Sequence, residues 1–166
     1  MNIRYSLTLH INPSFTACQV FFIPYNNHVS KSPENTLKIF VGARVDGQGQ
    51  ITHADSPELA FLGQKALENN YFLGQSIDDA LALTFAQARG KNVIIKGGLA
   101  GVCVAAVATQ ALKSGARQVS IDLNKIRTDS NDHHSLSKLP KTRKARLLGL
   151  QTGLGTFRDD KRLKIR

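Results

Sequence analysis

The stretch from Asn92 to Leu123 constrains the fold of this chain most strongly. NVIIK (92–96) is a short continuous apolar run of the kind buried inside a parallel sheet. A glycine-rich turn leads from it into an alanine-rich segment over 103–114, and Gly115 follows as a natural helix stop. VSIDL (119–123) predicts another strand. Strand, turn, helix and strand within about thirty residues form one βαβ unit, so the sequence predicts an α/β fold with a largely parallel sheet.

Further strands and helices are indicated on the N-terminal side of this unit. YSLTLHI (5–11) alternates and is rich in β-formers, and LKIFVGARV (37–45) predicts a strand closed by the turn DGQGQ. Ser56-Pro57-Glu58 has the pattern of a helix start, and that helix is expected to end near Glu68. A second helix is expected to begin at the capping box of Ser76 and to present one apolar face made of Ile77, Leu81, Phe85 and Ala88.

Composition limits the class of protein. The 166 residues, 42% of them apolar, are enough for a packed globular core. No apolar run approaches the roughly 20 residues that span a bilayer, and the N-terminal apolar stretch is too short for a signal peptide. We therefore expect a cytoplasmic protein that makes no membrane contact. The two cysteines, Cys18 and Cys103, are expected to be reduced.

Positive charge is concentrated near the C-terminus. Residues 1–124 hold ten Lys/Arg and eight Asp/Glu, whereas residues 125–166 hold twelve and four. We therefore expect an α/β domain over 1–124 and a basic, partly irregular extension over 125–166, with a short basic helix in KLPKTRKARLLGL. This extension is either a solvated tail or a contact for nucleic acid or an acidic protein, through 138–166.

Cys103 lies where chemistry is expected in such a fold. Ligands of parallel sheets bind beyond the carboxyl ends of the strands, and the turn after NVIIK is such a place. Backbone N–H groups at a helix start are expected to lower the pKa of a thiol and to stabilise an oxyanion. The alternative is that Cys103 is a small buried core residue. A phosphate-binding loop is disfavoured, because GGLAG has neither GxGxxG spacing nor a P-loop lysine.

The spacing around this cysteine resembles that of the isochorismatase-like hydrolase superfamily. Its cysteine elbow is matched in offset by Gly97, Cys103, Val104, Ala111 and Gly115. YFLGQSIDDAL (71–81) is similar to a Phe-x-Gly segment of the same family. The resemblance covers about 71–123. It implies a three-layer, Rossmann-like sandwich with helices on both faces of the sheet.

The resemblance also implies a catalytic triad of Asp, Lys and Cys, with Cys103 as nucleophile. Alignment on Phe15 puts His10 at the Asp position, alignment on the strand end puts Asn12 there, and Lys65 is the candidate for the lysine. Gly98, Gly101 and Val102 are the candidate oxyanion and elbow positions. No metal or cofactor is assigned, because Asp46, His53 and Asp55 do not have the spacing of the metal ligands found in one branch of the family.

Three functional hypotheses follow. The first is a hydrolase that attacks an amide, a related C–N bond or an ester-like bond of a small molecule. The second is an inactive relative that serves as a binding or assembly module, since family members commonly form homo-oligomers, with its basic tail on nucleic acid or an acidic protein. The third is an α/β module in which the elbow has no catalytic role.

Overall fold

The structure is a computed structural model that describes residues 35–128 and 139–166. The predicted strand 5–11, and with it His10 and Asn12, lies outside the described residues. The described elements are β1 (Thr36–Val41), β2 (Ala43–Val45), β3 (Ile51–Ala54), α1 (Pro57–Glu68), α2 (Ile77–Gln87), β4 (Asn92–Gly97), a π-helical turn (Ala100–Val104), α3 (Ala105–Lys113), β5 (Gln118–Ile121), α4 (Leu139–Leu154) and β6 (Leu163–Ile165).

Four parallel strands form the main sheet, in the order β1-β4-β5-β6. The β4-α3-β5 segment is the predicted βαβ unit, and β4 lies in the interior of the sheet as its continuous apolar sequence indicates. The α/β class and the largely parallel sheet are thus confirmed.

Apolar side chains pack on both faces of this sheet. One core cluster joins alternate residues of the strands, such as Ile39, Ile95 and Ile121, to residues of α2, α3 and α4. A second cluster includes Phe40 from the opposite face of β1 and residues of the β2–β3 hairpin and α1. The period-two alternation of the strands therefore separates two packing surfaces.

The prediction of a single strand over 37–45 is wrong. The chain turns at Gly42, whose φ of 93° is in the left-handed region that glycine tolerates, and β2 then pairs with β3 in a separate two-stranded antiparallel sheet. Strand β3 has no counterpart among the predicted elements. The turn DGQGQ is confirmed as the hairpin connection, where the carboxylate of Asp46 accepts hydrogen bonds from the N–H groups of Gln48 and Gln50.

Both predicted helix starts are confirmed. The hydroxyl of Ser56 accepts a hydrogen bond from the N–H of Leu59, and Ser76 forms a reciprocal capping box with Asp79. The predicted apolar face of α2 is partly wrong, because Phe85 is 72% exposed.

The described part of 125–166 packs with the described part of 1–124. β6 is the edge strand beside β5, and Leu150 and Leu154 of α4 are buried in the first core cluster. Arg162, just before β6, donates to the carbonyl of Leu112 and to the carboxylate of Asp160. The helix is longer than expected, and the extension that was expected to be partly irregular includes a strand after it. Within the described ranges, no helix is long and apolar enough to cross a membrane.

Candidate active site

Cys103 lies in a π-helical turn just beyond the carboxyl end of β4. Gly97 and Gly98 have φ values of 72° and 61°, so this connection requires a backbone that residues with side chains rarely adopt. The N–H of Val104 then donates to the carbonyl of Leu99 at 3.1 Å, the five-residue step of a π-turn. Single π-turns within helices frequently occur at functional sites.

The turn is held by the segment after β5. The N–H of Ala100 donates to the carbonyl of Arg127 at 2.7 Å, and the N–H of Arg127 donates to the carbonyl of Gly98 at 2.8 Å. These two backbone hydrogen bonds fix both ends of the glycine-rich connection. The position of Cys103 therefore depends on backbone contacts of the turn.

Helix α4 packs closely on the other side of the turn. A Cβ placed on Gly101 would lie 2.9 Å from the carbonyl oxygen of Gly149, and one placed on Gly153 would collide with the carbonyl oxygen of Gly101. The backbones of the two elements are thus in near contact. Gly101 therefore has a packing role, in addition to the elbow position expected for it.

The β2–β3 hairpin approaches the same turn from β1. A Cβ on Gly42 would lie 2.9 Å from the backbone nitrogen of Gly98, and a Cβ on Gly98 would lie 3.4 Å from the Cβ of Cys103. The N–H of Asp55 donates to the carbonyl of Gly42 at 3.1 Å. This series of contacts links the end of β3 to the Cys103 turn through Gly42 and Gly98.

The pKa of the Cys103 thiol is raised above its ordinary value. Burial of the half-buried side chain is the main cause, and the negative charge of Asp55 adds to it. Backbone N–H groups of Leu99 and Cys103, followed by the positive charge of Arg44, act in the opposite direction. The expected lowering of the pKa is therefore wrong, because loss of hydration outweighs the N–H groups of the turn.

The charged groups that act on this thiol belong to the β2–β3 hairpin, together with a histidine. Arg44 and His53 are cross-strand partners in β2 and β3. The Nε2 of His53 lies 3.7 Å from a carboxylate oxygen of Asp55, with both side chains substantially exposed. The hairpin that meets the Cys103 turn through Gly42 thus carries a carboxylate, an imidazole and a guanidinium.

The other predicted site residues have different surroundings. Lys65 is exposed on α1, with its Nζ 4.4 Å from the centroid of the Phe61 ring, whereas the charged side chains that shift the pKa of Cys103 are Asp55 and Arg44. Val102 is 62% exposed in the π-turn. The catalytic role predicted for Lys65 stays a prediction, as does that of His10.

The influence of Asp55 and Arg44 on the cysteine is not among the predictions made from the sequence. The sequence pattern places Asp55 only among candidate metal ligands and Arg44 only within one predicted strand. The available signal was the glycine at position 42 followed by DGQGQ, which together predict a bend and a hairpin folding back on the sheet.

In the part of the chain that the structure describes, no group of three or more His, Cys, Asp or Glu side chains is arranged to hold a metal ion. Comparisons with protein families, with curated proteins and with solved structures give no match for this chain.

Proposed function

We propose that the chain is a small-molecule hydrolase in which Cys103 attacks an amide, a related C–N bond or an ester-like bond. The observation that carries this proposal is the place of Cys103. It lies in a π-turn at the carboxyl edge of a parallel sheet, half-buried, with the charges of Asp55 and Arg44 acting on its sulfur. Its side chain packs against the first core cluster but stays partly exposed, which leaves room for a substrate to approach.

The proposed reaction proceeds through a thioester. The Cys103 thiol gives its proton to the carboxylate of Asp55 as the sulfur forms a bond to the carbonyl carbon. The C–N or C–O bond then breaks, and Asp55 returns the proton to the leaving nitrogen or oxygen. Water hydrolyses the thioester, which releases the acid and restores the thiol. Arg44 would stabilise negative charge that develops during both steps.

In this scheme, the raised pKa of the Cys103 thiol is compatible with catalysis. A thiol that stays protonated near neutral pH needs a proton acceptor, and the carboxylate of Asp55 is the candidate. The backbone N–H groups of Leu99 and Cys103 would stabilise the thiolate as it forms. Asp55 and Arg44 are thus further candidates for the proton-transfer and charge-stabilising roles that the resemblance assigns to His10 and Lys65.

The fold expectations that accompany this proposal have partial support. Core clusters on both faces of the sheet are consistent with a three-layer, isochorismatase-like sandwich. A cytoplasmic location and assembly into homo-oligomers stay predictions.

The proposal is tested by trapping the acyl-enzyme. The Cys18→Ser variant, which leaves Cys103 as the single thiol, is mixed with p-nitrophenyl acetate and examined by mass spectrometry. We expect one acetyl group on Cys103 and a burst of p-nitrophenol, both lost in Cys18→Ser/Cys103→Ala. If acetylation falls on lysines alone and is unchanged by Cys103→Ala, the proposal is wrong.

A second candidate function is an anion-binding module, and it has an observation of its own. Exposed basic side chains recur through the described C-terminal residues, including Lys161, Lys164 and Arg166. Such a distribution favours contact with nucleic acid phosphates. Retention on a nucleic-acid column that survives Cys103→Ala would support this function, and lack of retention at low salt would contradict it.

A further inference from the structure

One face of the main sheet is polar in a regular pattern. The strand register places Thr36, Asn92 and Gln118 in one row across the sheet. The next row holds Lys38, Ile94, Ser120 and Lys164. We call the face that carries Lys38, Lys96 and Lys164 the open face.

The three helices α2, α3 and α4 contribute to the core on the opposite face, together with the intervening residues of the strands. Helix α1 packs in the cluster that includes Phe40 and Ile94 of the open face. Beyond that cluster, an open depression of about 330 Å³ crosses β4 and β5 as far as Arg166. Within the described ranges, its surface includes the side chains of Gln118 and Ser120, which are half-buried and hydrogen-bonded to each other at 3.0 Å.

Positive charge predominates on the open face. Lys38, Lys96 and Lys164 extend across the four strands, a width of about 14 Å at the usual strand spacing. The Nζ atoms of Lys38 and Lys96 lie 5.6 Å and 4.6 Å from the centroid of the buried Tyr71 ring, and that of Lys38 also donates to the carbonyl of Asn69 at 3.2 Å. Asp122 also borders the depression, and its carboxylate accepts a hydrogen bond from the N–H of Asn124.

We infer that the open face binds single-stranded nucleic acid through its phosphates. The row of lysines fits a repeating anion, and the amide and hydroxyl groups between them can hydrogen-bond to sugars or base edges. The described strand residues of this face include no exposed aromatic ring for base stacking, so we expect weak sequence preference and strong salt dependence.

The positive charge of the open face favours an external polyanion as its ligand over the chain's own N-terminal segment. Residues 1–34 contain Arg4, Lys31 and Glu34 as their charged side chains, a net positive set that does not complement a basic surface. The inference rests on the second candidate function above and specifies its surface and its ligand class. It is independent of any chemistry at Cys103.

The test measures binding of a fluorescein-labelled decauridylate by anisotropy, between about 50 and 200 mM salt. Lys96→Gln/Lys164→Gln removes two cations from the open face, and Arg143→Gln/Lys144→Gln removes two exposed cations from α4. We expect the first pair to weaken binding about tenfold and to reduce the log–log salt slope by about 1.4. The α4 pair is expected to have a much smaller effect.

A second pair of variants keeps the test valid if Lys96→Gln disturbs Tyr71. Gln118→Glu puts a negative charge on the open face, and Gln110→Glu makes the same change on α3. The two glutamines are matched, because each donates to a serine hydroxyl at 3.0 Å. Gln118→Glu should weaken binding severalfold, and Gln110→Glu should leave it unchanged.

The outcomes separate this inference from the function on which it rests. If the α4 pair abolishes binding and the open-face variants do not, the surface is wrong and the anion-binding function stands. If polyglutamate competes as well as RNA at equal charge, the partner is an acidic protein and the inference is overturned. If the unchanged protein binds no oligonucleotide at low salt, both fail.

Discussion

At the scale of single residues, the account depends on the surroundings of Cys103. Its location in a turn between strand and helix could be predicted from the sequence, because glycines and an alanine-rich helix follow an apolar strand. The direction of the shift in its thiol pKa could not be predicted from the sequence. Burial and the charge of Asp55 depend on a hairpin that folds back through Gly42, and the contact between Gly42 and Gly98 has no signature in local spacing.

The first prediction concerns the acidity of this thiol. In a Cys18→Ser background, the rate of iodoacetamide alkylation should rise with pH to a midpoint above the ordinary thiol value, because burial and Asp55 disfavour the thiolate. Asp55→Asn should lower the midpoint and speed alkylation near neutral pH, and Arg44→Gln should raise it.

Asp78→Asn, an exposed change in the first turn of α2, is the control and should leave the midpoint unchanged. The electrostatic account is wrong if Asp55→Asn leaves the alkylation profile where it was, or moves it as little as the control does.

At the scale of elements, the helix caps and the βαβ unit were predictable, whereas the length and packing of α4 were not. Ser56 and Ser76 carry local signals that do not depend on the rest of the fold. Helix α4 lacks a continuous apolar stripe, because it contacts the π-turn through Gly149 and Gly153 and buries Arg146, whose guanidinium donates to the carbonyl of Leu123. Hydrophobic periodicity does not detect an interface made by close backbone approach.

The second prediction uses the two glycines of α4 as a matched pair. Gly153→Ala should destabilise the protein by about 1–3 kcal/mol, since its Cβ would collide with the carbonyl oxygen of Gly101 and lie 2.7 Å from the Cβ of Ala105. Gly149→Ala should be neutral or stabilise by up to about 1 kcal/mol, because its nearest contacts are at 3.8 Å and alanine favours helix.

Urea unfolding of both variants measures the difference. Equal effects of the two substitutions would mean that α4 does not approach the π-turn as described.

At the scale of the whole molecule, the sequence predicted the fold class and missed how the C-terminal residues contribute to it. The high positive charge of 125–166 indicated an extension, yet Leu150 is fully buried in the main core and β6 completes one edge of the sheet. A three-residue edge strand is too short for its alternation to stand out in the sequence. Charge density indicates which side chains are exposed and not how a segment packs. One segment can therefore be strongly basic and also contribute to the core.

The third prediction tests whether these residues belong to one cooperative unit. Leu150→Ala should destabilise the chain by about 2–5 kcal/mol, because it leaves a cavity in the core. Leu148→Ala, on a side chain 64% exposed in the same helix, should change the free energy of unfolding by less than about 0.5 kcal/mol.

The measurement is thermal unfolding followed by far-UV circular dichroism and by calorimetry. A single transition that shifts as a whole in Leu150→Ala is expected. Separate transitions, with only a minor one displaced, would contradict a shared core.

The central claim is that Cys103 is a nucleophile served by Asp55 as proton acceptor, and one comparison tests it most directly. The rates of iodoacetamide alkylation and of p-nitrophenyl acetate turnover are measured at neutral pH for Cys18→Ser with and without Asp55→Asn. The account predicts opposite signs: alkylation becomes faster because the thiol is more acidic, and turnover becomes slower because the proton acceptor is lost. If both rates rise together, Asp55 acts only through its charge, and the proposed catalytic role is contradicted.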